Sequence, residues 1–397
     1  QKIINNVRKK GDKEILSKYQ TRFGKVNYQS VEVTDIERNK AYEDVDPTFI
    51  KALKQMIKNI TAVHCAQLKN KVDTTVTPES GIRVWREWRP VEKVGLYIPG
   101  GKAVYPSSVL MSVIPAKIAG CKEIAVCSPP DQNGKIPSPT VVAADMVGVK
   151  KIFRIGGAEA IAAMAYGTKS IPKVYKIFGA GNSFVTAAKI LVSQDIAIDM
   201  PAGPSEIFII ADESANPVYI AADLLADGEH GEDSACVLLT TSWQIAKGTK
   251  KELEKQLERL PTGNRAEESL KRYGLIGVAE SMSDVIEFTN EYAPEHLEIM
   301  TGNPEGVADK IINAGSVFLG NWTTKSSGDY ATGANHVLPT GGMAKMYPPL
   351  GVEAYGKWMQ LQECTKEGLA NIKETIETVA TIEKLPAHKY STSIRFT

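Results

Sequence analysis

Short runs of β-branched and aliphatic residues alternate with helix-like segments from residue 91 onward, and this alternation limits the possible folds more than any other feature. Helices are predicted between the runs, for example at residues 107–119 and 158–166. The runs predicted to be strands are residues 94–98, 123–127, 151–155, 174–178, 207–211 and 236–240. Strands joined by crossover helices form βαβ units on a parallel sheet. The alternation therefore predicts an α/β fold.

A second set of α/β elements follows the first. Its predicted members are helices at 244–260, 283–292 and 305–313 and strands at 275–278 and 316–319. Residues 320–350 are rich in Gly, Thr, Asn and Pro, and a loop this long in a compact domain usually has a function. Residues 366–382 predict one helix, which a short tail follows. We therefore expect a second sheet, a functional loop and a helical C-terminus.

Loop-forming residues follow several predicted strands at their carboxyl ends. They are Pro99-Gly100-Gly101, Ser128-Pro129-Pro130, Gly156-Gly157 and Gly179-Ala180-Gly181-Asn182. In doubly wound sheets this edge is where ligands bind. The last loop lacks the third glycine of the GxGxxG fingerprint, so by itself it is weak evidence for NAD.

Composition excludes several classes of protein. The 397 residues include 47 basic and 46 acidic side chains with no long run of one sign, so a nucleic-acid or anionic-membrane partner is not expected. At this length we expect more than one hydrophobic core. Because no nucleic-acid or membrane partner is expected, we expect a small-molecule ligand. The five cysteines are irregularly spaced and contain no CxxC pair, which favours a reducing cytoplasm. Cys127 and Cys236 lie in apolar runs and are predicted to be core residues.

Asp227 and His230 are three residues apart at a predicted helix C-terminus, so their side chains can point to one side of the helix. An imidazole nitrogen and a carboxylate oxygen together suit zinc. A capped helix end with a solvated acid would show the same spacing, so the residues alone leave both interpretations open. A complete zinc site needs distant ligands, and Asp329 and His388 are available for it.

Glu295 and His296 are adjacent on a predicted loop after Pro294. A carboxylate and an imidazole that face one reactant can both transfer protons near neutral pH. A solvated Glu-His pair with no function would look the same in sequence. His64 lies in a predicted helix over residues 50–68, and we interpret it as a structural histidine.

Several long motifs resemble the histidinol dehydrogenase family, and they occur in the family's order over essentially the whole chain. They are GLYIPGG at 95–101, IDMPAGPSE at 198–206, DLL at 223–225, EHG at 229–231, YAPEHLE at 292–298, GDY at 328–330, NHVLPT at 335–340 and AH at 387–388. The resemblance implies two Rossmann-like α/β domains with mostly parallel sheets. Residues 1–92 with 204–350 would form one, residues 93–203 the other, and 351–397 a helical tail that extends to a dimer partner.

The resemblance also implies roles for individual residues. Glu295 and His296 would transfer protons. Zinc would be bound by Asp227, His230, Asp329 and His388. NAD would contact Tyr97, Glu159 and Asn182. The substrate would contact Ser205, Asp227, His230, His296, Asp329, Glu383 and His388.

Two positions depart from the family's pattern by placing a carboxylate where glutamine is usual. Asp227 is a competent zinc ligand, but its side chain is one methylene shorter than glutamine and adds a negative charge. Glu159 places a carboxylate beside an anionic cofactor, which is expected to weaken binding. Ala180 also stands where proline is usual.

The reaction implied by the resemblance is the zinc-dependent oxidation of L-histidinol to L-histidine through the aldehyde in two NAD-dependent steps, as part of histidine biosynthesis. The alternatives are a paralogue that oxidises another polar alcohol, such as a sulfonated diol, and a zinc hydrolase. Glu383 argues against a sulfonate because an anion suits an ammonium or imidazolium group. The helix at 366–382 would be about 25 Å long at 1.5 Å per residue, enough to carry Glu383 and His388 to the partner's site in a homodimer.

Overall fold

The computed structural model describes residues 1–23, 30–68, 71–100, 104–201, 203–261 and 263–397, with side chains for all of these except 19–23. The chain divides into two compact units. The first unit comprises Gln1–Gln67 and Val91–Tyr355, and the second comprises Leu68–Pro90 and Gly356–Thr397. Among the described residues, no helix is both long and apolar enough to cross a membrane.

The described residues form a mixed set of helices and strands. The helices are α1 (Lys2–Lys10), α2 (Asp12–Phe23), α3 (Asp35–Glu43), α4 (Pro47–Gln67), α5 (Pro106–Ala119), α6 (Ser138–Met146), α7 (Gly157–Tyr166), α8 (Ser183–Val192), α9 (Pro217–Gly228), α10 (Trp243–Leu257), α11 (Gly263–Tyr273), α12 (Met282–Tyr292), α13 (Pro304–Ala308), α14 (Lys325–Tyr330), α15 (Lys366–Ile382) and α16 (Pro386–Ser393). The strands are β1 (Ile82–Pro90), β2 (Lys93–Tyr97), β3 (Glu123–Ser128), β4 (Lys151–Arg154), β5 (Lys176–Phe178), β6 (Ala197–Ile198), β7 (Glu206–Ala211), β8 (Ala235–Thr240), β9 (Gly274–Val278), β10 (His296–Met300), β11 (Ser316–Leu319) and β12 (Gly356–Cys364).

The first unit contains two parallel sheets. Their strand orders are β4-β3-β2-β5-β6 and β11-β10-β7-β8-β9. In each sheet the strand that comes first in sequence is central, and the later strands add to one side of it and then to the other. The inner strands are almost entirely buried, because helices cover a parallel sheet on both faces, and their sequences are therefore continuously apolar. The predicted α/β fold with parallel sheets is confirmed.

The N-terminal helices pack on helices that belong to the first sheet: α1 contacts α7, α3 contacts α6, and α4 contacts α5. The sequence analysis grouped residues 1–92 with 204–350, the range that contains the second sheet. The division into domains itself stays a prediction.

The second unit is built on the antiparallel pair β1 and β12, in which Trp88 lies opposite Trp358. Helix α15 follows β12, and the Thr365 side chain caps it by accepting a hydrogen bond from Gly368 N. Helices α15 and α16 pack on each other.

Most predicted elements agree with the structure to within a few residues, two predicted segments differ, and strands β1, β6, β10 and β12 were not predicted. Residues 320–350 are not structureless, since they contain α14 and a 3-10 turn at Met343–Lys345. The helix predicted at 305–313 is only the short α13, Pro304–Ala308. Strand β10 was missed: His296, predicted to lie in a loop, is its first residue.

Candidate active site

A cleft of about 990 Å³ lies in the first unit, and opposite edges of the two sheets line it. The first sheet contributes its carboxyl edge, with Tyr97 at the end of β2 and the loop 179–182 after β5. The second sheet contributes its amino edge, with Ser205 just before β7 and His296 at the start of β10. The expectation that ligands bind at the carboxyl ends of parallel strands therefore predicts only the half of the cleft that belongs to the first sheet.

Backbone geometry forms the half of the cleft that belongs to the first sheet. Gly179 has φ +118°, and a Cβ there would lie 2.1 Å from the carbonyl oxygen of Tyr97, so only glycine fits without strain. Its N–H donates to Asp199 Oδ2 at 2.7 Å. The Asn182 side chain caps α8 by accepting hydrogen bonds from the backbone N–H groups of Phe184 and Val185, at 3.1 and 3.2 Å. This half combines a fixed tight turn with a helix N-terminus.

Glu159, the third residue predicted to contact NAD, lies in the first turn of α7. Its Oε1 pairs with Lys18 Nζ of α2 at 2.5 Å. Tyr97 is nearby, because its hydroxyl accepts a hydrogen bond from Gly157 N, also in that first turn, at 3.2 Å. The additional carboxylate at position 159 therefore has a cation beside it.

The other half of the cleft contains His296, which is almost fully buried. Its Nδ1 lies 3.1 Å from the carbonyl oxygen of Glu206 and 3.4 Å from Glu295 Oε2, so the proton is assigned to Nδ1 and the lone pair to Nε2. Nε2 has no hydrogen-bond partner among the described residues. Burial lowers the pKa of His296, but Glu295 and Asp227 together raise it, and the net pKa is above its ordinary value. His296 Nε2 is thus a basic nitrogen without a hydrogen bond, and Asp329 Oδ1 lies 3.9 Å from it.

The backbone before β10 fixes Glu295. Ala293 ends α12 in the left-handed region, with φ 55°, and so turns the chain into the strand. Glu295 Oε2 accepts from Glu206 N at 2.8 Å and lies 3.1 Å from Ser205 Oγ. Ser205 Oγ is also 2.8 Å from Asp227 Oδ1, so its single proton serves one carboxylate at a time. These predicted residues do come together.

Lys325 is a central residue of the site that the sequence analysis missed. Its Nζ lies 3.0 Å from both Asp227 Oδ1 and Asp329 Oδ2, and only 2% of its side chain is exposed. Burial raises the pKa of Asp227, but Lys325, His296 and His230 together lower it, and the net pKa is below its ordinary value. The spacing of Lys325 and Asp329, four residues apart on α14, was the one available signal in the sequence.

The predicted zinc ligands do not fit a metal ion as they are arranged. An ammonium group already contacts Asp227 and Asp329. His230 Nδ1 lies 3.1 Å from the carbonyl oxygen of Asp227, which leaves Nε2 as the nitrogen that could bind a metal. Glu383 and His388 belong to the second unit, at the end of α15 and in α16, and both are exposed. Zinc binding by this set stays a prediction.

The residues predicted to be structural are confirmed. His64 is fully buried, with Nδ1 at 2.8 Å from Ile60 O and Nε2 at 3.2 Å from Asn335 Nδ2. Cys127 and Cys236 are buried core residues, and burial raises the pKa of the Cys236 thiol to about 12. None of these three residues is available for chemistry at the cleft.

Comparison with known proteins identifies the family. The sequence profile of the histidinol dehydrogenase family matches residues 1–396. Histidinol dehydrogenase from Bacteroides thetaiotaomicron is 48% identical over 99% of this chain and 91% of its own length, and that of Methanothermobacter thermautotrophicus is 45% identical over 98% and 91%. The crystal structure of histidinol dehydrogenase from Elizabethkingia anophelis superposes with a TM-score of 0.95 at 42% identity, covering 100% of this chain and 90% of that one. The chain therefore belongs to the histidinol dehydrogenase family of oxidoreductases.

Proposed function

We propose that this protein oxidises L-histidinol to L-histidine through the aldehyde, with NAD⁺, as a step of histidine biosynthesis in the cytoplasm. One observation carries the proposal: the unpartnered Nε2 of His296 in the cleft, beside the fixed carboxylate of Glu295. A base and a second proton-transfer group are what an alcohol oxidation followed by aldehyde hydration requires. Family membership over nearly the whole chain supports the same reaction.

NAD⁺ fits the carboxyl edge of the first sheet. The loop 179–182 is made of small residues, its turn is fixed by Gly179, and Asn182 holds the N-terminus of α8 at the cleft. Such an edge, where a helix begins after a parallel strand, suits a pyrophosphate. Tyr97 and Asn182 would contact the cofactor, and Lys18 balances the charge of Glu159. When bound, NAD⁺ supplies the hydride acceptor for both oxidation steps.

His296 would act in the first oxidation. Its Nε2 accepts the hydroxyl proton of the substrate while the carbinol C–H bond breaks and the hydrogen leaves with its electron pair. The Glu206 carbonyl oxygen and Glu295 face Nδ1 and orient the ring, so the lone pair stays directed into the cleft. The product of this step is the aldehyde.

Glu295 would act in the second oxidation. A water molecule adds to the aldehyde carbon, and Glu295 accepts the proton that this water loses. Ser205 and the Glu206 N–H contact Oε2 and keep the carboxylate in position. The oxyanion of the hydrate then loses its C–H hydrogen with the electron pair to NAD⁺, and the carboxylic acid forms.

The charge of the site favours an amino alcohol over a sulfonated diol. Among the described residues, Glu295 and Asp329 line the cleft and Asp227 adjoins them, while Lys325 is the lysine that lines it. This excess of carboxylates suits an ammonium group. Among the described lining side chains, Lys325 is the one that would suit a sulfonate.

A further part of the proposal concerns the dimer. Zinc on Asp227, His230, Asp329 and His388 is implied by the family resemblance alone, and it is not part of the proposal. The second unit exposes apolar side chains such as Ile382 and Tyr390, with 75% and 63% of their surface accessible, next to Glu383 and His388. Exposed apolar surface of this kind is typical of interfaces, so we propose a homodimer in which Glu383 and His388 serve the partner's cleft.

The reaction is tested by following NADH. We expect two NADH for each L-histidinol consumed, L-histidine as the product, and no NADH with a sulfonated diol. The variant His296→Asn is the matched control for background oxidation. NADH formation with the sulfonated diol and none with L-histidinol would replace the proposed substrate with its alternative.

The shared site is tested by mixing inactive variants. His296→Asn and His388→Asn chains, unfolded and refolded together, would form heterodimers with one intact site and one doubly altered site. Random reassembly should then restore roughly a quarter of the wild-type activity. Verified heterodimers without activity would show that the C-terminal residues serve their own chain.

A further inference from the structure

We propose that Lys325 is a built-in cation of the active site, whose ammonium takes the place of a divalent metal between Asp227 and Asp329. Nζ lies 3.0 Å from an oxygen of each carboxylate, so it bridges the two acidic residues predicted to bind zinc. The inference concerns the metal and not the substrate, so it does not depend on the proposed reaction.

Lys325 is held in this position along its whole length. Its backbone N–H donates to Glu298 Oε1 at 2.7 Å, and Thr324 caps the helix that Lys325 begins by accepting from Ser327 N at 3.1 Å. The side chain is almost fully buried, unlike a surface lysine that moves freely in water. An ammonium fixed in this way costs little entropy to keep between two carboxylates.

The charges explain why a cation is needed at this point. Asp227 is completely buried, and a buried carboxylate is strongly unfavourable unless a cation or several hydrogen bonds compensate it. Glutamine, the residue usual at this position in the family, would need no counter-charge. The chain has a carboxylate at 227 and an ammonium beside it, which together restore the charge that a neutral residue would give.

A zinc ion and this ammonium exclude each other. Zinc binds carboxylate oxygens at roughly 2.0–2.2 Å, so an ion held by Asp227 Oδ1 and Asp329 Oδ2 would have to lie where Lys325 Nζ now makes its contacts. An ion held by the other two oxygens, Asp227 Oδ2 and Asp329 Oδ1, would lie close to a buried positive charge, where repulsion is strong because screening is weak. We therefore expect the intact chain to bind zinc poorly at this pair.

The test measures binding of zinc alone, without turnover. The wild-type protein, Lys325→Met and the double variant Asp227→Gln with Lys325→Met are titrated with zinc against a chelator of known affinity. Lys18→Met is the matched control, because it removes a lysine from an ion pair outside the predicted zinc site. We expect weak binding by the wild type and the control, and roughly tenfold or tighter binding by both Lys325 variants.

The double variant keeps the experiment decisive, because Lys325→Met leaves Asp227 unpaired and can fail to fold, whereas the double variant removes both charges. Crystals of the wild type soaked in zinc provide a second measurement at the zinc absorption edge. No anomalous peak between Asp227 and Asp329 supports the inference. A peak within bonding distance of both carboxylates, or equal zinc affinity in the wild type and the double variant, overturns it.

Discussion

The two halves of the cleft are built in different ways. At the carboxyl edge of the first sheet the backbone forms the site, through the tight turn at Gly179 and the helix cap at Asn182. At the amino edge of the second sheet buried charged side chains form it, with His296 and Lys325 surrounded by carboxylates. Backbone sites are specified by local sequence, whereas charged clusters depend on residues far apart in the chain.

Next to each half lies one carboxylate where the family resemblance predicts glutamine, and each carboxylate forms an ion pair with a lysine. Asp227 and Lys325 are 0% and 2% exposed, whereas Glu159 and Lys18 are 17% and 40% exposed. Breaking a buried pair leaves a charge without solvent, whereas water can partly replace the partner in a pair that is partly exposed. Removal of the lysine should therefore lower the free energy of unfolding much more at Asp227 than at Glu159.

The largest expected effect is on catalysis in the charged half. His296→Asn should lower kcat with L-histidinol by roughly 10²–10⁴-fold, because Nε2 is the proposed base. The KM for NAD⁺ should not change, since His296 lies on the edge opposite the loop 179–182. Steady-state kinetics with each substrate varied in turn measures both quantities.

Glu295→Gln is the companion variant, and it should slow oxidation of the aldehyde more than that of the alcohol. Equal losses with both substrates in both variants would contradict the division of roles. A large rise in the KM for NAD⁺ in His296→Asn would show that the two halves are not independent.

The next effect is on stability. Lys325→Met should lower the free energy of unfolding by about 3–5 kcal/mol, because it leaves Asp227 buried without its cation. Adding Asp227→Asn should recover most of this loss. Urea denaturation followed by circular dichroism gives the values, and a loss below about 1 kcal/mol would mean that the pair contributes no more than one at the surface.

The contrast between the halves also explains what the sequence could predict. The inner strands β2, β3, β7 and β8 were predicted because they are largely buried and therefore continuously apolar. β10 was missed because it follows Glu295 directly and begins with His296, a polar start that is typical of a loop. β1 was missed because arginine and glutamate interrupt its apolar residues, and β12 was missed because it is mostly exposed.

The site residues also differ in how far the sequence could predict them. The family motifs identified Glu295, His296 and Asp227, and the structure brings them together through Ser205. Lys325 was overlooked because a lysine in a segment rich in Gly and Thr is usually solvated. Its burial results from contact with Asp227, which is distant in sequence, and no local pattern reports such a contact.

A smaller effect is expected from the backbone-built half. Gly179→Ala should cost about 1–3 kcal/mol of stability and raise the KM for NAD⁺, because the new Cβ would meet the Tyr97 carbonyl oxygen and φ would be strained. Gly320→Ala is the matched control, since its φ is +79° and a Cβ there would meet nothing within 4 Å. Equal effects of the two variants would mean that the close approach to Tyr97 is unimportant.

The smallest effect is expected for the partly exposed pair of Lys18 and Glu159. Lys18→Met should lower the free energy of unfolding by less than about 1 kcal/mol, because water can solvate Glu159 when its partner is lost. The KM for NAD⁺ should still rise, by roughly two- to fivefold, since an unbalanced carboxylate would then lie near an anionic cofactor. Adding Glu159→Gln should return the KM to its wild-type value by removing that charge, and Lys345→Met, which breaks the exposed pair with Glu291, should change neither quantity. If Lys18→Met lowered the free energy of unfolding as much as Lys325→Met does, burial would not determine how much these two lysines contribute to stability.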